Sequence, residues 1–233
     1  MQIMSNQTVL ITGANRGLGL EFTKQYALDG WHVLACCREP ESATALQALA
    51  TQHANIQMHR LDVSDFAAIT ALSEVLKDSA IDVFINNAGI YPKSNVNDTN
   101  EADWLAAFKI NTIAPMKMAE AFKPQLSRSQ LKKLVTLSSK MGSVDDNSGG
   151  GSYIYRSSKC AVNMVMKSLS IDLQTSGIAV LTLHPGWVQT DMGGPNGLID
   201  APTSVTGMRK VIADLSLATT GQFIAYDGKS VAW

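Results

Sequence analysis

The chain has 233 residues, 45% of them hydrophobic and 17% charged, which is enough for one sizeable core and too apolar for a disordered chain. The formal net charge of −1 lacks the basic face that nucleic acid or a membrane surface demands. No apolar run is long enough to span a bilayer.

In chain order, Met1 to Ser5 lack the charged-then-apolar pattern of a secretory leader. A first strand is predicted over Gln7–Thr12 and a helix over Gly17–Asp29. Strand Trp31–Cys36 and helix Ser42–Ala50 follow, then strand Ile56–Leu61 and helix Asp65–Lys77, with Ser64 or Asp65 as its cap. Strand Ile81–Asn86 leads into one long helix, Glu101–Gln125. Strand Lys133–Leu137 precedes a second long helix, Tyr155–Thr175, which Gly177 stops. Strand Ile178–Leu183, helix Ala201–Leu217 and strand Gln222–Ala225 close the chain. The polar, glycine-rich stretch Gly142–Gly151 reads as a loop.

Strands alternating with helices predict a parallel sheet covered on both faces. The strands are continuous apolar runs, as burial on both sides requires. The expected fold is α/β, a single doubly wound parallel sheet of seven strands occupying residues 1–233 as one unit. Cys36, Cys37 and Cys160 form an odd set with no CxxC spacing, so they are expected to be free, largely buried thiols in a reducing, cytoplasmic compartment. The scattered histidines (His53, His59 and His184 read as surface or strand-end residues) leave no metal site to predict.

The chemistry gathers at the carboxyl ends of the strands. Thr12-Gly13-Ala14-Asn15-Arg16-Gly17-Leu18-Gly19 follows the first strand and opens the first helix. Glycines there let the chain turn sharply and let a pyrophosphate approach backbone N–H groups at the positive helix end. The second strand ends in Cys36-Cys37-Arg38, with no acid to repel a 2′-phosphate until Glu39; Arg38 and Arg16 are the matching cations, which favours NADP over NAD. Asp62, beside Val63 at the end of the third strand, is placed either to accept from an adenine amino group or to serve as a turn residue. Asn86-Asn87-Ala88-Gly89 ends the fourth strand on the same crevice.

Tyr155 and Lys159 stand at i, i+4 on one helix face. A nearby ammonium is expected to lower the phenol's pKa and make it a working acid/base group. Ser138-Ser139 closes the fifth strand with a hydroxyl for a substrate oxygen; Ser139 is preferred for its spacing to Gly142, with Ser138 and Ser143 as alternatives. Asn111 is an unfavourable helix-interior residue, so a local distortion or a water relay to Lys159 is expected there.

These residues resemble the short-chain dehydrogenase/reductase family, a Rossmann-type fold, over essentially the whole chain. More narrowly they resemble its branch of C-factor and sniffer-type carbonyl reductases, through Ser138 to Ser143, Tyr153 to Lys159, His184 to Gly194 and the ending from Gly221 to Trp233. The resemblance implies catalysis by Asn111, Ser139, Tyr155 and Lys159. It implies that Tyr155 protonates a carbonyl oxygen that Ser139 polarises, and that Lys159 holds the cofactor ribose. It adds Pro185, Gly186, Val188 and Thr190 as residues near the nicotinamide of NADP(H). The implied activity is hydride transfer between NADPH and a small carbonyl or alcohol. A signalling protein with little turnover and an NAD-dependent alcohol dehydrogenase are the competing readings. The segment from Met192 to Ala201 reads as a short, open, mobile substrate flap. The two long helices carry apolar residues on more than one side, and the resemblance pairs them across a two-fold axis, so a homodimer is expected.

Overall fold

The computed structural model describes residues 7–233, so the reading of Met1 to Ser5 lies outside the described residues. Seven strands form one sheet: β1 Thr8–Thr12, β2 His32–Cys37, β3 Ile56–Arg60, β4 Val83–Asn86, β5 Lys133–Leu137, β6 Ala179–His184 and β7 Gln222–Ala225. Every pairing is parallel and the order is β3-β2-β1-β4-β5-β6-β7. The strand order reverses between β1 and β4, which opens a crevice at the carboxyl ends of these strands.

Alternation along each strand sends side chains to two separate cores. Val9 and Ile11 of β1 pack with Phe22 and Tyr26 of α1 (Gly17–Leu28), Leu46 of α2 (Thr44–Gln52) and Met208 of α7 (Ala201–Asp214). Leu10 faces the other side, with Ile69 of α3 (Phe66–Val75), Phe122 of α5 (Ala114–Arg128) and Met166 of α6 (Tyr153–Asp172). Cys37 joins the first core and Cys36 the second, as adjacent strand residues must. All three cysteines are free, but Cys160 is only half-buried. Among the described residues no helix is long and apolar enough to cross a membrane.

The first long helix departs from expectation. It is α4 (Glu101–Phe108), a π-helical turn at Lys109–Ile113, and then α5, which runs to Arg128 through Pro124. The wide turn falls on Asn111, whose side chain bonds to other parts of the chain. Asp65 is the cap of α3, accepting from the N–H groups of Ala67 and Ala68 at 3.0 and 3.1 Å. The residues before α2 form a separate 3-10 turn at Pro40–Ser42. Helix α6 starts two residues earlier than expected; past its end a 3-10 turn at Gln174–Ser176 stops at Gly177, which adopts φ +73°.

Candidate active site

The glycine loop leaves β1 and enters α1 with Gly13 at φ +66° and Gly17 at φ +53°, conformations that disfavour a side chain. Gly19 has a different reason: a Cβ there would lie 2.1 Å from the Gly13 carbonyl oxygen and 2.6 Å from Asn87 Nδ2. The helix N-terminus has no side-chain cap, so its first N–H groups face the crevice with no side chain of their own segment to satisfy them.

Asn87 ties the fourth strand to this loop. Its Nδ2 donates to the carbonyls of Thr12 at 2.8 Å and Gly13 at 3.1 Å, and Thr12 Oγ1 accepts from the N–H groups of Asn87 and Ala88. Gly89 lies against Asn111 Oδ1 and Lys159 Nζ. Asn111 Oδ1 accepts from Ile90 N–H at 2.9 Å, while Nδ2 donates to the Ile90 carbonyl at 2.9 Å and to Ser158 Oγ at 3.0 Å. The distortion expected at Asn111 is therefore present, and its amide ties the segment after β4 to α6.

Tyr155 and Lys159 are both buried at the same crevice. Lys159 Nζ lies 5.8 Å from the centre of the Tyr155 ring and donates to the Leu137 carbonyl at 2.8 Å. The electrostatics correct the expectation of an acidified phenol. Burial pushes the Tyr155 phenol up to about 12, against a smaller downward pull from a hydrogen bond with Ser139. Burial also pushes the Lys159 ammonium down to about 8. Both shifts come chiefly from removal of the two groups from water, and the nearby Tyr91 adds to the rise at Tyr155.

The three serines separate cleanly. Ser138 Oγ donates to Asn163 Oδ1 at 2.5 Å, and Ser143 Oγ donates to the Trp233 carbonyl at 3.1 Å. Ser139 Oγ accepts from Met141 N–H at 3.1 Å and, of the three, is the one whose side chain pulls the Tyr155 phenol down. Asp62 Oδ1 accepts from the N–H and the hydroxyl of Ser64, so the turn role is realised; the residue still lines the crevice.

The crevice is a cavity of about 540 Å³ that runs from Arg38, Asp62 and Val63 past the glycine loop (Gly13, Asn15, Arg16, Gly17, Leu18, Gly19) and Asn87, Ala88 and Gly89 to Tyr155, Lys159, Pro185 and Thr190. Asn111, Ser139, Gly186 and Val188 stand behind this surface. Gly186 takes φ +86° against Ile199 and Tyr226, and Val188 is buried. Sequence reasoning missed Ile90, Ile110, Leu137 and Asp191, which also line the cavity. It also missed that Arg16 pairs with Asp191 at 2.9 Å across the cavity mouth. The segment from Met192 to Ala201 is tied to the residues before it. Leu198 N–H donates to the Trp187 carbonyl, Gln189 N–H to the Ile199 carbonyl and Trp187 Nε1 to the Gly193 carbonyl. Close backbone packing at Gly193 and Gly197 makes it a compact double-backed turn, ended by Asp200 as the cap of α7.

The family model for short chain dehydrogenases matches residues 7–197, and the chain belongs to that family of oxidoreductases. The C-signal protein of Myxococcus xanthus is 43% identical over 154 residues, covering 66% of this chain and 93% of that one. The carbonyl reductase Sniffer of D. melanogaster has a similar structure, with a TM-score of 0.91 at 37% identity over 97% of this chain and 99% of that one. So does an NADPH-bound carbonyl reductase from chicken fatty liver, with a TM-score of 0.91 at 36% identity over 100% of both chains.

Proposed function

We propose that this chain is an NADP(H)-dependent carbonyl reductase acting on small aldehydes or ketones, with Tyr155 as the proton donor. The observation that carries the reading is one cavity with an uncapped, glycine-lined helix N-terminus, Tyr155 and Lys159 all in its wall. The glycine loop would hold the pyrophosphate, Arg38 and Arg16 the 2′-phosphate, Asp62 and Val63 the adenine side, and Lys159 the ribose hydroxyls. Pro185, Gly186, Val188 and Thr190 would border the nicotinamide. When bound, the dinucleotide supplies the hydride.

The residues of the chain handle the proton. The Tyr155 phenol, pushed up to about 12, keeps its proton at neutral pH and gives it up only as hydride arrival turns the carbonyl oxygen into an alkoxide, a stronger base than the phenolate left behind. The Ser139 hydroxyl, bonded to the phenol, donates to the same oxygen and orients it. Lys159 then faces the phenolate that donation leaves, and its ammonium offsets that charge inside a dry site. Asn111 keeps Gly89 and Ile90 seated against this pair.

The test is NADPH oxidation against a panel containing nitrobenzaldehyde, simple alkanals and diketones. Tyr155→Phe should lower turnover by at least about 100-fold and leave NADPH affinity unchanged. Turnover unaffected by that change would refute the reading. Tight NADPH binding with no turnover on any member of the panel would favour the second reading, a signalling protein, which the likeness to C-signal supports.

The same reading includes a cytoplasmic homodimer. Leu105, Ile113, Met164 and Ile171 are exposed apolar side chains of the α4–α6 region, and Met164 and Ile171 lie two helical turns apart on one face. A monomer in sizing chromatography would refute this part alone.

A further inference from the structure

Ser152 is the N-cap residue of the helix that carries Tyr155, yet it caps nothing. It sits at φ +49°, and its side chain makes no bond to the helix N-terminus. A serine at this position normally gives its oxygen to the first turn, and a non-glycine residue in the left-handed region must be held there by its surroundings. Both departures have one explanation in the segment after β4. Ser94, itself buried, performs the capping from outside: its Oγ accepts from Ile154 N–H at 3.0 Å, and its carbonyl accepts from Ser152 N–H at 2.9 Å. The Ser152 hydroxyl is thereby released to bond Tyr91, with the two oxygens 2.7 Å apart.

Tyr91 in turn packs on the proton donor. Its ring meets the Tyr155 ring edge-on, centres 4.4 Å apart at 67°. It cannot drift, because Ile90 before it is held at both N–H and carbonyl by Asn111, and Pro92 after it fixes the backbone. Lys159 Nζ also lies 5.8 Å from the Tyr155 ring centre, so two side chains from different elements stand near the phenol.

We propose that Tyr91, locked by Ser152, is a positioning residue that fixes the ring of Tyr155 in the orientation from which it delivers its proton. This rests on the reading of Tyr155 as the donor. Edge-on aromatic contact supplies the orientation, and the hydroxyl pair supplies the register between the segment after β4 and the start of α6. Misplacement of a reacting group by a fraction of an ångström reduces the chemical step without touching the distant parts of the cofactor site.

The experiment uses nitrobenzaldehyde and NADPH with four single variants and one double. Tyr91→Leu should lower kcat about tenfold or more, with KM for NADPH within about twofold of the parent. Tyr91→Phe keeps the ring and should recover most of that loss. Ser152→Gly accepts the positive φ without strain and should match Tyr91→Phe. The double variant Tyr91→Phe/Ser152→Gly should be no worse than either single, because both remove the same bond. Parental kcat in Tyr91→Leu would overturn the proposal, as would an equal rise in KM for NADPH or fully additive losses in the double. Should Tyr91→Leu fail to fold, Tyr91→Met, which also removes the ring, takes its place with the same expected and overturning results. Tyr155→Phe separates the two claims: its retaining activity sinks the donor reading, whereas its inactivity beside a parental Tyr91→Leu sinks only the role of Tyr91.

Discussion

His184 ends β6, and its Nδ1 accepts from the backbone N–H of Lys140 at 3.2 Å. A protonated imidazole has no lone pair for that bond. Burial, and then the Lys140 ammonium, push the imidazole from 6.5 down to about 4; Asp146 and Asp227 pull weakly the other way. The folded state therefore binds fewer protons than the unfolded chain between these two values, and stability falls as the medium is acidified through that window. It is fully present above about pH 6.5 and fully lost below about pH 4. The whole gap corresponds to roughly 3 kcal/mol, and about 2 kcal/mol of it is already lost at about pH 5. That is a large share of the margin by which domains of this size are folded. His184→Asn keeps an acceptor near the Nδ1 position and removes the titration. Urea unfolding of parent and variant at about pH 7.5 and about pH 5 isolates the effect, because the other acid-sensitive groups are common to both. The variant should match the parent within about 1 kcal/mol at the higher pH and lose about 2 kcal/mol less on acidification. Equal losses in the two proteins would refute the reasoning. Because Lys140 follows Ser139, the parent should also lose carbonyl turnover in the same acid window more steeply than the variant.

Other outcomes follow from the cofactor end of the cavity. Gly19→Ala drives a methyl group into the Gly13 carbonyl and should cost about 1–3 kcal/mol or more in unfolding experiments and weaken NADPH binding, whereas Gly149→Ala, with nothing within 4 Å, should leave binding unchanged. Arg38→Asp places a carboxylate where the 2′-phosphate would sit and should move cofactor preference toward NAD; unchanged preference in kcat/KM would refute the assignment of that arginine. Phe122→Ala empties a fully buried site that meets Phe84 edge-on at 5.6 Å, and should lower stability by about 3–5 kcal/mol while leaving the spacing of Tyr155 and Lys159 intact.

What could be read without coordinates is what local chemistry controls. The seven strands and their two-sided burial follow from short apolar runs, and their ends fall within two residues of the observed ones: β5 and β7 match, and β2 and β6 are each displaced by one. The glycine loop is legible because it places backbone, rather than a particular side-chain conformation, at the crevice, and the Asn87 segment because it follows directly on a strand end. Tyr155 and Lys159 share a helix face by spacing alone. The π-helical turn at Asn111 was visible only as an unfavourable residue in a helix, since what pays for the distortion is its bond to Ile90, 21 positions away.

The sequence alone determined the alternation of strand and helix, the glycine turn between β1 and α1 and the one-face pairing of a phenol with an ammonium, because these depend on intervals of a few residues. Only tertiary structure decided which serine meets the phenol, that Ser94 rather than Ser152 caps α6, that Arg16 pairs with Asp191, and that Tyr155 is raised instead of lowered. Each of those outcomes turns on groups brought together from distant positions, and on how much water the closed packing leaves around them.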